Sequence, residues 1–481
     1  MAKDLTMYEK FQFRGFWWTS DNANNRIAGI LTYDLDGIYL ELFGDFSEDL
    51  RSLKSNNNTY KFILGITECG KKITLHDGFQ VKFKIAGYAT TKLSFNQMFM
   101  GKLFTSTEKM IFHSASTNYS YLEEWMAYDP LNDEMELDKD DGKLKKIGTS
   151  YNFPLPPLFE TNIESIQAKV KAGYNVRTDS KLYKSQTFQH KGYLDILPYE
   201  NQRLEWFLNH IEEIQDFLTL LTNRPVYPKE IRFKGEVINK ETQQREKVLL
   251  FLLPSKNFSE DKISPFEIFV DYQMIKNEFN EVLNNWFKDE KAAPSRMIYL
   301  ENTYNKAADW NFHFLNYAKS MESFHRDTAE ELGQFANNDE YEIIKQAMLD
   351  AIPKGTNTDL KNKLNSTLKY AHHHGFERRV RDTLKGLEER LINLTFSDLK
   401  KIKGFAGDIR TTRDYYTHFG DKPSYYFKDW DLFFANIRMK MTLFYCFCTR
   451  LEISSETIVS VITSDNNLVT RLKTAQQRLP N

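Results

Sequence analysis

The 481-residue chain has only three cysteines, too few for a disulfide scaffold. It has no long apolar run. The stretches at 248–253 and 441–448 fall far short of the ~20 residues a bilayer-spanning helix needs. Its opening residues, MAKDLTMYEK, lack the apolar segment and small-residue cleavage site of a secretory signal. Charge of one sign is missing too. Lys and Arg number 64 against 66 Asp and Glu, a net charge of −2. The chain is therefore no globally basic nucleic-acid coat, and any anion-binding surface must be local. Internal repeats and low-complexity tracts are absent. Against these absences stand 41% hydrophobic and 14% aromatic residues, which exclude a largely disordered protein. At about 150 residues per domain, two or three domains are expected. The expectation is a soluble, cytoplasmic, multidomain protein with no membrane partner.

The first third reads as β structure. Residues 26–33 and 37–43 are short Ile/Leu/Tyr-rich runs joined by Asp34-Leu35-Asp36-Gly37, a hairpin turn by composition. Residues 60–67 and 72–75 suggest a second hairpin around Cys69-Gly70. In 79–88, Phe79, Val81, Phe83 and Ile85 alternate with polar residues, as on a half-buried strand. Residues 108–114 suggest another strand. The acidic stretch 129–141, Lys143 to Lys146 and Pro154-Leu155-Pro156-Pro157 together carry a loop or insertion signature. From Glu200 the period changes. Leu204, Phe207, Leu208, Ile211, Ile214, Phe217, Leu218 and Leu221 form one helical stripe, ended by Asn223-Arg224-Pro225. Strand signal returns at 247–253, and 273–287 suits a helix.

After residue 298 strand signals nearly vanish. Trp310, Phe314, Tyr317, Met321 and Phe324 mark one helix face, and 341–351, 360–370, 377–394, 405–418 and 430–451 are further helical stretches. The fold class is thus α+β: a β-rich, mixed domain over 1–298 and an all-α bundle over 299–481.

The sharpest local signal is Arg410-Thr411-Thr412-Arg413-Asp414-Tyr415-Tyr416-Thr417-His418-Phe419-Gly420. Cleavage of an RNA phosphodiester needs a base for the 2′-hydroxyl, an acid for the leaving oxygen and a cation for the phosphate. Histidine exchanges protons near neutral pH, and arginine offers a forked permanent charge. Five residues on a helix place Arg413 and His418 about 140° apart. They would flank one cleft only if His418 lies in the last turn, with Phe419-Gly420 as the stop. Without further context, Arg410 and Asp414 also read as an i, i+4 pair on a solvated helix, and His418 as a capping histidine.

Arg413-x4-His418, with a polar residue after the arginine, in the penultimate expected helix of an all-α bundle, resembles the Arg-x4–6-His motif of HEPN domains. Trp17-Trp18, the strand Ala28-Gly29-Ile30-Leu31-Thr32-Tyr33-Asp34, Tyr121-Leu122-Glu123-Glu124-Trp125 and the segment from Phe217 to Pro228 resemble the N-terminal domain of ApeA proteins. Outside the acidic 129–146 segment the likeness covers most of the chain. It implies an anti-phage, abortive-infection endoribonuclease that needs no metal or other cofactor, cleaves host RNA (single-stranded or loop, tRNA included) and responds to a phage-derived trigger. It also implies a homodimer or higher homo-oligomer in which two protomers share a cleft. Carried over, Arg413 would hold phosphate and His418 would move protons. Asp414 stands where an Asn is common, and Arg410 and Tyr416 would support; Glu322, as a further supporting residue, and His325 would line the same cleft, or else form a solvated edge beside the apolar stripe of their helix.

Between Lys361 and Arg413 there are thirteen Lys and Arg against six Asp and Glu. Arg378, Arg379, Arg381, Lys400, Lys401 and Lys403 concentrate this excess and are the candidate RNA-backbone contacts. Tyr415, Tyr416, Tyr425 and Tyr426 suit either base stacking or core packing. Other patterns carry less. Gly65-x4-Gly70-Lys71 resembles a phosphate loop but is followed by Lys72 and strand-like residues, not by a Ser or Thr opening a helix. In His372-His373-His374, only His373 shares a helical face with Glu377, which weakens a metal reading. Two rivals to a nuclease stay open: a bundle that grips RNA without cutting it, and one that serves only dimerisation.

Overall fold

The protein is described here by a computed structural model covering residues 5–46, 58–138, 143–152, 158–264, 267–329 and 333–480. The chain divides into two compact units, Met1–Gln273 and Met274–Asn481.

The first unit is built from antiparallel strands. β1 (Phe11–Thr19), β2 (Asn22–Asp34), β3 (Gly37–Leu42), β4 (Thr59–Thr67), β5 (Lys72–Ala86) and β6 (Tyr88–Met100) close a ring in the order β1-β2-β3-β6-β5-β4 and back to β1. Closure removes free sheet edges. It is made possible by large rings seated over glycine. A Cβ on Gly65 would lie 2.2 Å from the Trp17 ring, and one on Gly78 equally close to Phe95. The phosphate-loop lookalike is therefore a strand and its turn, with Gly70 at φ +76° between β4 and β5.

β6 has two different neighbours along one edge. Thr91 to Phe95 pair with β3, whereas Gln97 to Met100 pair with Gln244–Leu252. From there the sheet continues through Pro228–Asn239, Ser114–Tyr119, Ser185–Pro198, Ala168–Lys181 and Glu160–Ile163. The Leu204–Thr222 helix buries Leu204, Phe207, Ile211, Ile214, Phe217, Leu218 and Leu221 of the expected stripe, with Leu208 only half-buried, and Asn223 caps it at φ +55°.

Two expectations for this unit differ from the structure. Phe79, Val81 and Ile85 face solvent, Ile85 at 65% exposure, while Gln80 is buried. At Phe79, which still pairs with Thr59 of β4, the even-numbered residues take the inner side and the apolar odd-numbered ones point outward; beyond Gln80, among the described strands, β5 continues with β6 alone as a two-stranded ribbon. The acidic insertion also forms structure: Leu131–Leu137 pairs with Leu144–Tyr151 in an exposed hairpin of its own. Residues 139–141 of that stretch and the proline-rich 154–157 lie outside the described residues.

The second unit is helical among its described residues, apart from an isolated bridge between Gln334 and His373. It starts upstream of residue 299, because Phe279–Lys288 and Ala293–Tyr304 pack within it. Ser320 donates to the Ser295 carbonyl at 2.8 Å, and Arg450 holds Asp289 at 2.6 and 2.7 Å. The Asp429–Arg450 helix is its centre, burying Leu432, Ala435, Met439, Leu443, Phe444, Phe447 and both Cys446 and Cys448. Buried Arg438 sits 4.8 and 5.0 Å from the rings of Phe396 and Phe405. Two further helices, Ser455–Ser464 and Asn466–Arg478, follow it.

Candidate active site

The Leu399–His418 helix carries the arginine–histidine motif. Asp398 caps its start, accepting from the Lys400 amide, and Ile402, Phe405, Ala406, Ile409 and Thr412 form its buried face. Thr412 is the last buried position; its hydroxyl accepts from the Phe427 amide at 2.9 Å. Arg413, four residues after Ile409, continues this inward stripe at its half-exposed end, whereas Arg410 and Asp414 are exposed beside it.

Arg413 is held on three sides. Its guanidinium lies 3.5 Å from Glu322 Oε2 on the Trp310–Thr328 helix, 3.2 Å from Asp414 Oδ1 and 4.7 Å from the Phe376 ring. This arrangement fixes where the forked charge points while leaving about a third of the side chain in solvent. The structure thus brings together Arg413, Asp414 and Glu322. Arg410 lies alongside, 3.2 Å from Glu377 on the Phe376–Lys385 helix.

His418 is the last helical residue and is exposed. The helix stops through Phe419, not through Gly420: Phe419 takes the left-handed conformation at φ +47° and donates to the Tyr415 carbonyl at 2.8 Å. A bulky residue in this region costs about 1 kcal/mol or more. Its ring is 74% exposed and meets Tyr415 edge-on, and Tyr415 in turn lies 4.6 Å from Tyr426. A partly exposed aromatic cluster therefore adjoins His418, a geometry that suits stacking of an unpaired base. Tyr416 is bound inward: its hydroxyl donates to the Phe427 carbonyl at 3.0 Å, and burial, then Tyr426 and Asp429, push its pKa up to about 12.

The candidate RNA contacts separate into three groups. Arg378 and Arg381 flank the Arg410–Glu377 pair on the same helix, with Arg378 hydrogen-bonded to Asp382 at 2.7 Å. Arg379 is not a surface contact. It is 8% exposed and donates to the His374 carbonyl at 2.7 Å. Lys400, Lys401 and Lys403 are at the opposite end of the motif helix, about 15–20 Å from Arg413 at 1.5 Å rise per residue. Much of the local positive excess is also spent: Arg378, Arg390, Arg410 and Arg413 all face carboxylates, two of which, Glu322 and Glu456, lie outside the basic stretch. The lookalike metal pair is not assembled, since Glu377 is turned to Arg410 and His373 lies against His372 and Tyr370. Phe376 and Glu377 complete the setting of the arginines. Nothing local in the sequence marks them, because both contacts are made across helices.

The chain thus joins a barrel-containing β unit to a following helical unit, one helix of which carries an arginine and, at its end, a histidine. Residues 12–286 match the ApeA N-terminal domain 1, and residues 315–457 match the Apea-like HEPN domain. The chain belongs to the ApeA family. HEPN domains are in general ribonuclease domains, and the motif helix lies wholly inside the matched HEPN segment. Searches of curated proteins and of solved structures returned no match. Among the described residues no helix is long and apolar enough to cross a membrane.

Proposed function

We propose that this protein is an anti-phage endoribonuclease of the abortive-infection type, cleaving host RNA in single-stranded or loop regions without a catalytic metal. The observation that supports it best is the contrast within one helix: Arg413 braced by Glu322, Asp414 and Phe376, and His418 left open at the helix end. In the reaction a base removes the 2′-hydroxyl proton, O2′ attacks phosphorus, and the P–O5′ bond breaks. An acid then protonates the departing 5′ oxygen. The products are a 2′,3′-cyclic phosphate and a 5′-hydroxyl. Arg413 stabilises the negative charge that accumulates on the phosphoryl oxygens. With the two residues about 140° apart on their helix, a cleft shared by two protomers supplies both a base and an acid from paired His418 side chains. The N-terminal domain senses the phage-derived trigger and restrains the nuclease, and the protein acts in the cytoplasm.

Purified protein incubated with host RNA in EDTA, which withholds free Mg²⁺, should give cyclic-phosphate ends. His418→Ala should slow this by about 10²–10⁴-fold. Products with 5′-phosphates, or full activity in the variant, would refute the mechanism. A second reading draws on the two carboxylates beside Arg413, which reduce its pull on phosphate: the bundle grips RNA without cutting it. That reading requires salt-sensitive binding, no product, and indifference to His418→Ala.

A further inference from the structure

One turn beyond Glu322, the helix carrying it presents His325 to a second polar cluster, set apart from the arginine–histidine motif. His325 Nε2 lies 3.8 Å from Asp382 Oδ2, and His374 Nδ1 lies 3.5 Å from the same oxygen. One ring nitrogen from each histidine and the carboxylate oxygen all fall within 4.8 Å of one another. The three residues come from three places: the Trp310–Thr328 helix, the segment before residue 376, and the Phe376–Lys385 helix. Both histidines are 7% exposed, and His374 Nδ1, the atom that faces Asp382, is buried without a hydrogen-bond partner. Leaving such a nitrogen unsatisfied costs about 1–3 kcal/mol.

We propose that His325, His374 and Asp382 form a binding site for one divalent late transition metal of the Zn²⁺ class. Two imidazoles and one carboxylate are the borderline donor set such ions prefer, and a fourth, solvent ligand completes a tetrahedron. Ligands at 2.0–2.2 Å in that geometry stand about 3.3–3.5 Å apart, so the two histidine–Asp382 edges need only a few tenths of an ångström of closure, and the edge between the two histidines, at most 4.8 Å, closes by up to about 1.5 Å. Burial lowers the pKa of both imidazoles, which keeps them in the neutral form that coordinates metal.

The surroundings match a supported site. Arg378 donates to Asp382 Oδ2 at 2.7 Å and fixes the carboxylate. The His374 amide donates to the Gly333 carbonyl at 2.8 Å, Arg379 holds the His374 carbonyl at 2.7 Å, and the Phe335 ring packs on the imidazole at 4.7 Å. Orientation of ligands by such contacts is usual around metals. The ion would tie the Glu322-bearing helix to the Phe376–Lys385 helix and so position the walls against which Arg413 rests. It takes no part in proton transfer, and the inference does not rest on the nuclease reading.

The test uses full-length protein stripped exhaustively with chelator and then dialysed against Zn²⁺. Wild type should retain one ion per chain, and its melting temperature should rise by roughly 5–10 °C at a hundred-fold excess over Kd. His374→Gln and Asp382→Asn should lose both effects, whereas His373→Gln should keep them. No retained ion, or retention that survives His374→Gln and Asp382→Asn, overturns the proposal. Should those variants fail to fold, Co²⁺ added to wild type decides. Visible ligand-field bands without thiolate charge transfer support the site. Their absence, or a thiolate band, overturns it.

Discussion

Asp408 sits on the motif helix, half-buried, five residues before Arg413, and makes no hydrogen bond or ion pair with a described residue. Burial pushes its carboxyl pKa from 3.8 up to about 6. The folded chain therefore holds this proton more tightly than the unfolded one. The stabilisation is complete below pH about 3.8, declines as the pH rises and is gone above pH about 6. Two pK units at full burial would correspond to about 3 kcal/mol. With half of the group in contact with water, screening reduces this to about 1–1.5 kcal/mol. Asp408→Asn keeps the shape and removes the titration. Urea denaturation at about pH 4 and about pH 8 should then show the variant gaining about 1 kcal/mol on wild type between the two, with unchanged m. An offset that is the same at both pH values would refute the reasoning.

Arg450→Ala breaks the pair with Asp289, a carboxylate that burial would raise but that the hydrogen bonds and charge of Arg450 hold below its ordinary pKa. We expect a loss of about 1–3 kcal/mol near neutral pH, measured by denaturation. The loss should fade as the pH falls through the lowered pKa, because a depressed carboxyl contributes stability only above it. Glu322→Gln removes one carboxylate from Arg413 and should tighten RNA binding by up to about fivefold, read by fluorescence anisotropy. Weaker binding contradicts the expectation. Replacing Lys400, Lys401 and Lys403 with Ala should lower RNA affinity at low salt and flatten its salt dependence. Cleavage at saturating RNA should not change, since these residues lie about 15–20 Å from Arg413. Phe419→Gly relieves the left-handed strain and should raise stability by about 0.5–1 kcal/mol in thermal unfolding.

Periodicity made the larger elements legible. The Leu204–Thr222 stripe, the turn at Gly70 and the helix ending at His418 all follow from residue spacing and turn chemistry. Parity in β5 was not legible, because Phe79, Val81 and Ile85 alternate correctly for a covered strand yet point to its outer side, while Gly78 and Gln80 take the inner one. Of the terminal helices, Ser455–Ser464 is disguised by its β-branched run of Ile458, Val459, Val461 and Ile462, and Asn466–Arg478 buries only Leu472 and Ala475. In the candidate site, Arg413 and His418 announce themselves by type and spacing. What surrounds them does not: charge counted along the chain misses Glu322 and Glu456 folding back onto basic residues, and it counts buried Arg379 as surface. The juxtaposition of His325, His374 and Asp382 is likewise tertiary, since only the packing of their segments makes them neighbours.

The strand from Tyr88 to Met100 pairs with β5 along one edge, and along the other it serves the barrel at Thr91 to Phe95 and the open sheet at Gln97 to Met100. Unfolding either layer frays the shared strand and removes a template for the other, so the two cores of the first unit should exchange amide protons as one cooperative block. The slowest amides are then expected near Leu93 to Met100.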